Sequence, residues 1–283
     1  MTRKLGAFAT DLSDEEHEKV AQLKEEVKGH IKSAADQAFC TQGTYVRYLR
    51  ARGWNVHKAA KMLEATLHWR ADYKPWALRW EVTQHDTDSG KLYILPGTDK
   101  NGRPVILMRP RLESVVDNDA RMRFLVYTLE RAAQLGDSSP DGKMTWLLDL
   151  NGYSRKNSPP IRMALQTLHI LQNHFPERLG LAVCFQTPLV FEWMWRAVKA
   201  FVDPSTKKKL VFLHAKDPPE VLRTYFDPDN LDDAMGGSRS ADSAWDKNEY
   251  GKLMMELDEE VERSLTFGEL DLIRRQSMEA RGE

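Results

Sequence analysis

Cysteine is scarce in this 283-residue chain, which has two, Cys40 and Cys184. Both lie in apolar settings without metal-like spacing, which points to a reduced compartment and no structural disulfide. A surplus of one charge is also lacking. With a formal net charge of −1, no bulk field draws the chain to nucleic acid, so any anion site has to be local. No apolar run approaches the roughly 18–20 residues that span a bilayer. The opening MTRKLGAFATDLSDEE has too short an apolar patch for a signal peptide. Thr2 stands where a myristoylation signal needs glycine. These features predict a cytoplasmic protein.

Catalytic signatures are missing as well. There is no G-x-S-x-G elbow, no G-x-G-x-x-G after the first strand and no G-x-x-x-x-G-K-[ST] loop. The eight histidines show no H-x-x-x-H or H-E-x-x-H pattern for a metal. Asp149, at the end of TWLLDL, has two readings: a carboxylate at a strand terminus, or a cap for the turn that follows. The capping role is the commoner one for such an aspartate. No enzymatic activity, catalytic residue, metal or cofactor is expected.

What is present is 41% hydrophobic residues, enough for a sizeable core. Up to about Tyr73 the chain reads as helical. DLSDEEHEKVAQLKEEVKGHI places Leu12, Val20, Leu23, Val27 and Ile31 on one face. Ser13 with Glu16 fits a capping box. Gly53 falls where a helix ends and Asn55 where the next begins. From Leu92 the pattern changes. LYILPGTDKNGRPVILMRP reads as two antiparallel strands around an Asn-Gly turn. Helices then alternate with the near-continuous apolar strands KMTWLLDL, LGLAVCFQ and KLVFLHA, which predicts a mostly parallel five-stranded sheet covered by helices. After Gly237 the chain turns polar, with one weak helical stretch, YGKLMMELDEEVERSL. A docked or mobile tail is expected there.

The stretch HFPERLG, His174 to Gly180, joins a helix to a buried strand. Glu177 and Arg178 stand where the chain enters the core. They are either a solvated or capping pair, or they face something polar.

These pieces, in this order, resemble the CRAL-TRIO lipid-binding family, in particular its phosphatidylinositol-transfer branch. The resemblance covers roughly Thr41 to Ser238 and rests on YVRYLRARGWNVHKAAKMLEATLHWR, WLLDLNGYS, HFPERLG, FVDPSTKKKLVFL and the closing GGS. It implies an α/β fold with an N-terminal all-helical lobe over 1–80. A sheet domain over 81–240 would enclose an apolar pocket for one lipid, and a polar, partly helical tail would fill 241–283. It also implies a headgroup set at Arg52, Glu177, Thr206 and Lys209, with Arg178 adjoining. Guanidinium, ammonium and hydroxyl groups suit a phosphodiester, and a carboxylate can fix inositol hydroxyls. Taken singly, the same residues could be a solvated helix end and a solvated lysine run.

Members that also carry phosphatidylcholine place small hydroxyl residues at the start of the WLLDL strand. Here Met144 and Trp146 stand there, with Leu148 following on the same face and Thr145 turned to the other. The second ligand is therefore another hydrophobe or none, and phosphatidylcholine is not expected. PLVFEWMWRAVKAFVDP corresponds to a gate helix, with Val190, Phe191, Met194, Val198 and Phe201 on one stripe. Trp193 and Trp195 lie off it, beside Arg196 and Lys199. Such a helix either meets the lipid–water interface or is buried on two sides. The implied protein is a monomeric lipid carrier, peripheral at membranes and without nucleic acid. The alternatives are a carrier of a sterol or tocopherol-like molecule and a membrane-associated signalling scaffold.

Overall fold

The computed structural model describes residues 6–115, 117–240 and 245–281. The basic opening, residues 1–5, and the first residues of the tail, 241–244, lie outside these. The chain begins with five helices: α1 (Ala7–Thr10), α2 (Asp14–Val27), α3 (Ala34–Phe39), α4 (Gln42–Ala51) and α5 (Val56–Tyr73). The capping box forms as predicted: Glu16 N–H donates to the Ser13 hydroxyl and Ser13 N–H donates to the Glu16 carboxylate. Asn55 caps α5 through Lys58 N–H. Gly53 takes φ +56° just past α4, where a side chain would be strained. Val20, Leu23, Val46, Leu49, Leu63 and Leu67 bury the shared face of α2, α4 and α5.

A short helix, α6 (Trp80–Thr83), leads to the sheet. Its strands are β1 (Leu92–Thr98), β2 (Pro104–Met108), β3 (Met144–Asp149), β4 (Leu179–Phe185) and β5 (Leu210–Phe212), in spatial order β1-β2-β3-β4-β5. β1 and β2 are antiparallel around the Asp99–Gly102 turn, and the remaining pairs are parallel. The crossovers carry α7 (Asn118–Gly136), α8 (Ile161–His174), α9 (Leu189–Val198) and the short α10 (Pro204–Lys207). Each crossover steps to the next strand in the same direction. Right-handed connections therefore stack α7, α8 and α9 on one face of the sheet. One cross-strand row, Trp146–Ala182–Leu210, runs along that face.

The polar tail differs from expectation. It forms two helices, α11 (Lys247–Glu262) and α12 (Phe267–Arg281), where the sequence suggested one weak one. The first is docked and buries Tyr250, Met254 and Leu257. Asp258 enters the core with them. Its carboxylate accepts from Arg131 Nε at 2.6 Å, from Trp80 N–H at 2.8 Å and from the Tyr127 hydroxyl at 3.2 Å. Glu262 takes Arg79, and Glu269 accepts from Ala35 N–H, so the tail ties the sheet domain to the helical lobe.

A second tie crosses from α5 to the end of α8. The His174 ring stacks on Trp69 with centroids 4.2 Å apart. The Thr66 hydroxyl donates to the Asn173 carbonyl and lies 3.1 Å from His174 Nδ1. Burial, helped by the nearby charges of His169 and Arg70, pulls the His174 pKa from 6.5 down to about 4. On lowering the pH the unfolded chain takes this proton first. The His174 contribution to stability is therefore full above about pH 6.5 and is lost as the pH falls to about 4, by at most about 1.4 kcal/mol per pH unit. His174→Gln is expected to remove that part of the slope in urea unfolding between pH 7 and pH 4.5. An unchanged slope would place the titration elsewhere.

Candidate functional site

At the HFPERLG joint, α8 stops at His174 and Pro176 prevents its continuation. Glu177 then adopts φ +55°, a left-handed conformation that costs a non-glycine residue about 1–2 kcal/mol. Glu177 and Arg178 do not pair with each other. Arg178 donates to Asp137 Oδ1 at 2.7 Å and to the Gly142 carbonyl at 3.0 Å, and it is 8% exposed. Arg47 binds the same Asp137 oxygen at 2.9 Å. Arg178 is thus committed to the joint, while Glu177 faces two ammonium groups. Its Oε2 lies 3.9 Å from Lys143 Nζ and 3.9 Å from Lys209 Nζ. Burial, together with the charge of Lys209, lowers the Lys143 pKa.

Lys209 enters this cluster because it sits at the start of β5, where its carbonyl accepts from Ala182 N–H. Thr206 is held from below by Asp203, which caps α10. Asp203 accepts from Thr206 N–H at 2.9 Å and from the Thr206 hydroxyl at 2.5 Å. Burial works against the Asp203 charge, but the bonds from Thr206 and Ser205 prevail and hold its carboxyl below the usual range. Arg52 is exposed at the end of α4, with its guanidinium on the Ala51 carbonyl.

Arg52, Glu177, Arg178, Thr206 and Lys209 all border one cavity of about 480 Å³. Its volume lies within the range usual for small-molecule pockets, about 300–1,000 Å³. The strand alternation holds: Met144, Trp146 and Leu148 line the cavity, and Thr145 turns away to donate to Asp99 at 2.6 Å. Ala182, Cys184 and Leu210 continue the floor, and Leu168 and Leu171 of α8 form a wall. The burial of Cys184 pushes its thiol up to about 12, so it serves as a small apolar group. The lining joins a charged set, from the exposed Arg52 to the half-buried Glu177 and Lys209 and the buried Arg178, to a larger apolar set, and a mixed lining of this kind suits an amphiphile.

α9 closes one side, on a different stripe from the one expected. Phe191 and Trp195 line the cavity from α9, and Val202 joins them from beyond the helix end. Val198 is buried, whereas Val190 and Met194 are half-buried against Tyr153 and Cys184. Phe201 stands 61% exposed. The helix tightens into a 3-10 turn at Lys199–Phe201, where each residue advances about 120° rather than 100° and the stripe drifts. Leu189 and Trp193 are also exposed, at 70% and 56%, near Arg196 and Lys199.

A larger cleft of about 710 Å³ lies between the helical lobe, α7 and α11. Its walls carry the Arg47–Asp137 and Arg70–Glu130 ion pairs. Acyl chains laid there would strip water from buried charges, which is costly. Asp149 caps the next turn through Asn151 N–H and pairs with Arg111 at 2.6 Å. Among the site residues, the sequence reading passed over Lys143 and Asp203, whose roles depend on contacts far along the chain or on a local cap. It also set Trp195 aside, although the i, i+4 spacing from Phe191 was visible.

A CRAL/TRIO domain family model matches residues 88–237, and a CRAL/TRIO N-terminal domain model matches residues 5–65. A CRAL-TRIO domain-containing protein of Schizosaccharomyces pombe is 32% identical over 205 residues, covering 72% of this chain and 19% of that protein. Phosphatidylinositol transfer protein PDR17 of Saccharomyces cerevisiae is 30% identical over 208 residues, covering 68% of this chain and 56% of that protein. The chain therefore spans a fifth to somewhat over half of these relatives. The crystal structure of Sfh5 superposes with a TM-score of 0.63 at 19% identity, covering 84% of this chain and 91% of that one. This last likeness concerns the fold alone.

Proposed function

The chain belongs to the CRAL/TRIO family of lipid-binding domains, and on that premise we propose that it binds one phosphatidylinositol and exchanges it between membranes. The observation that carries this reading is a single cavity lined both by an apolar floor and by a polar and charged set, Arg52, Glu177, Thr206 and Lys209. The relative named as a phosphatidylinositol transfer protein supports it. Arg178 acts by fixing the joint through Asp137, so that Glu177 is presented to the ligand.

The physics of exchange explains the arrangement. Each buried CH₂ is worth about 0.8 kcal/mol, so a lipid leaves a bilayer only for an equally apolar enclosure. α9 is the moving wall. Its exposed Leu189 and Trp193, near Arg196 and Lys199, suit contact with an anionic lipid surface as the pocket opens. The carrier works as a monomer, on the cytoplasmic side and peripheral at membranes. Exchange breaks no bond, so no catalytic group is required. Among the described residues no helix is long and apolar enough to cross a membrane.

A second reading, a carrier of a smaller hydrophobe, is favoured by one observation. The indoles of Trp146 and Trp195 both border a cavity of about 480 Å³. A compact ring system needs less opening of α9 than a two-chain lipid does.

Vesicle-to-vesicle transfer of labelled lipids tests the assignment. The native chain is expected to move phosphatidylinositol and not phosphatidylcholine. Trp146→Thr is expected to add phosphatidylcholine transfer, by making room and supplying a hydroxyl. No gain in that variant would put headgroup selection at other residues.

A further inference from the structure

Outside the lining of the cavity, three side chains converge between the end of α2 and the middle of α5. Glu64 and His68 lie four residues apart on α5 and so share one face of it. His30 ends the 3-10 turn Lys28–His30 that follows α2. One ligand atom from each lies within 4.8 Å of the others. His30 Nδ1 is 3.5 Å from Glu64 Oε1, and the His30 and His68 rings meet edge-on with centroids 6.0 Å apart. Among the described residues this is the one group of three with such spacing.

We propose that His30, Glu64 and His68 form a binding site for a transition-metal dication of the zinc type. Two imidazoles and one carboxylate are borderline donors that suit Zn²⁺, Co²⁺ or Ni²⁺, whereas Mg²⁺ and Ca²⁺ require oxygen-rich shells. Three protein ligands leave the fourth tetrahedral position to water. Metal bonds of about 2.0–2.2 Å set tetrahedral ligand atoms about 3.4 Å apart. The three groups therefore have to close by no more than about 1.4 Å. Their half-exposed to exposed side chains can make that movement without moving the backbone. The ion pair of Glu64 is with His30, so its charge is not taken by a lysine or arginine. The His57–Glu26 pair, at 2.9 Å, has no third ligand among the described residues, which makes it an internal control.

The site would clip the end of α2 to α5, the helix that reaches the HFPERLG joint through Thr66 and Trp69. The three positions form none of the common short histidine patterns, because one ligand comes from 34 residues upstream of Glu64 and the pair on the helix is Glu–His rather than His–His.

The test is isothermal titration of the full chain with Zn²⁺ alone, with Co²⁺ absorption read in parallel. One equivalent of Zn²⁺ and a tetrahedral Co²⁺ spectrum are expected, undisturbed by excess Mg²⁺. His68→Ala and Glu64→Gln are each expected to weaken Zn²⁺ binding by at least about tenfold, and His57→Ala to leave it unchanged. At a hundred times Kd, Zn²⁺ is expected to raise the folding equilibrium constant about 100-fold. No stoichiometric uptake by the native chain would overturn the proposal. So would equal affinity in a folded His30→Ala/His68→Ala variant. Should that variant fail to fold, an octahedral Co²⁺ spectrum in the native chain would overturn it as well.

Discussion

Replacing Asp258 with alanine is expected to lower the free energy of unfolding by about 3–5 kcal/mol, the usual cost of leaving a buried charge without its partner. The reason lies in Arg131, which is 1% exposed. Its Nε donates to Asp258 at 2.6 Å, and its Nη2 donates to the Leu78 carbonyl at 3.0 Å. The same carboxylate receives Tyr127 and Trp80 N–H, so truncation also strands two neutral donors. Asp258 is 6% exposed and shares α11 with the fully buried Met254 and Leu257, and Trp80, Tyr127 and Arg131 are each 5% exposed or less, so the stranded donors lie in the core. Urea unfolding measures the loss. A midpoint within experimental error of the native one would mean that α11 is an appendage rather than part of the core. Asp258→Asn keeps the shape and one acceptor, and is expected to fall between the two.

Lys209→Glu is expected to reduce phosphatidylinositol transfer by at least about tenfold, equivalent to about 1.4 kcal/mol of ligand affinity. The substitution puts a second carboxylate about where an ammonium now lies 3.9 Å from Glu177. At that spacing two like charges repel by about 1–4 kcal/mol between the limits of water and a protein surface. A lipid phosphate brought to the same place would meet two anions. The fold has little stake in the pair: the side chains are 20% and 26% exposed, and pairs of this kind contribute about 0–1 kcal/mol. Lys209→Gln, which removes the pair without adding the repulsion, is therefore expected to unfold within about 1 kcal/mol of the native protein, and Lys209→Glu to lose in addition up to the repulsion given above. Undiminished transfer by a well-folded Lys209→Glu chain would remove the headgroup assignment.

The parts of the fold governed by short-range chemistry were legible in the sequence. Ser13 with Glu16, Asn55 before α5, and the Asp99–Gly102 turn each act within a few residues, so their effect can be read locally. The alternation of Met144, Thr145 and Trp146 followed from the two-residue period of a strand. What could not be read depends on partners far along the chain. Asp258 looks like one more acid in a polar helix, and its core role appears only when Arg131, 127 residues earlier, is placed beside it. α12 gave a weak signal because few of its side chains are buried, Ile273 and Ser277 among them. Arg178 reads as a ligand-facing cation until Asp137, 41 residues upstream, is found to hold it. The drift of Phe201 out of the gate stripe needed the change from α to 3-10 winding, which apolar spacing alone does not announce.

The central claim is that the cavity edged by Arg52, Glu177, Thr206 and Lys209 holds a phosphoinositide-type lipid. Mass spectrometry of the lipids retained by the purified chain after exposure to a mixed-lipid extract tests it most directly. The account predicts phosphatidylinositol at up to one molecule per chain, lost in Lys209→Glu. Retention of a small hydrophobe alone, with no phospholipid, would contradict it and make the four residues a structural cluster.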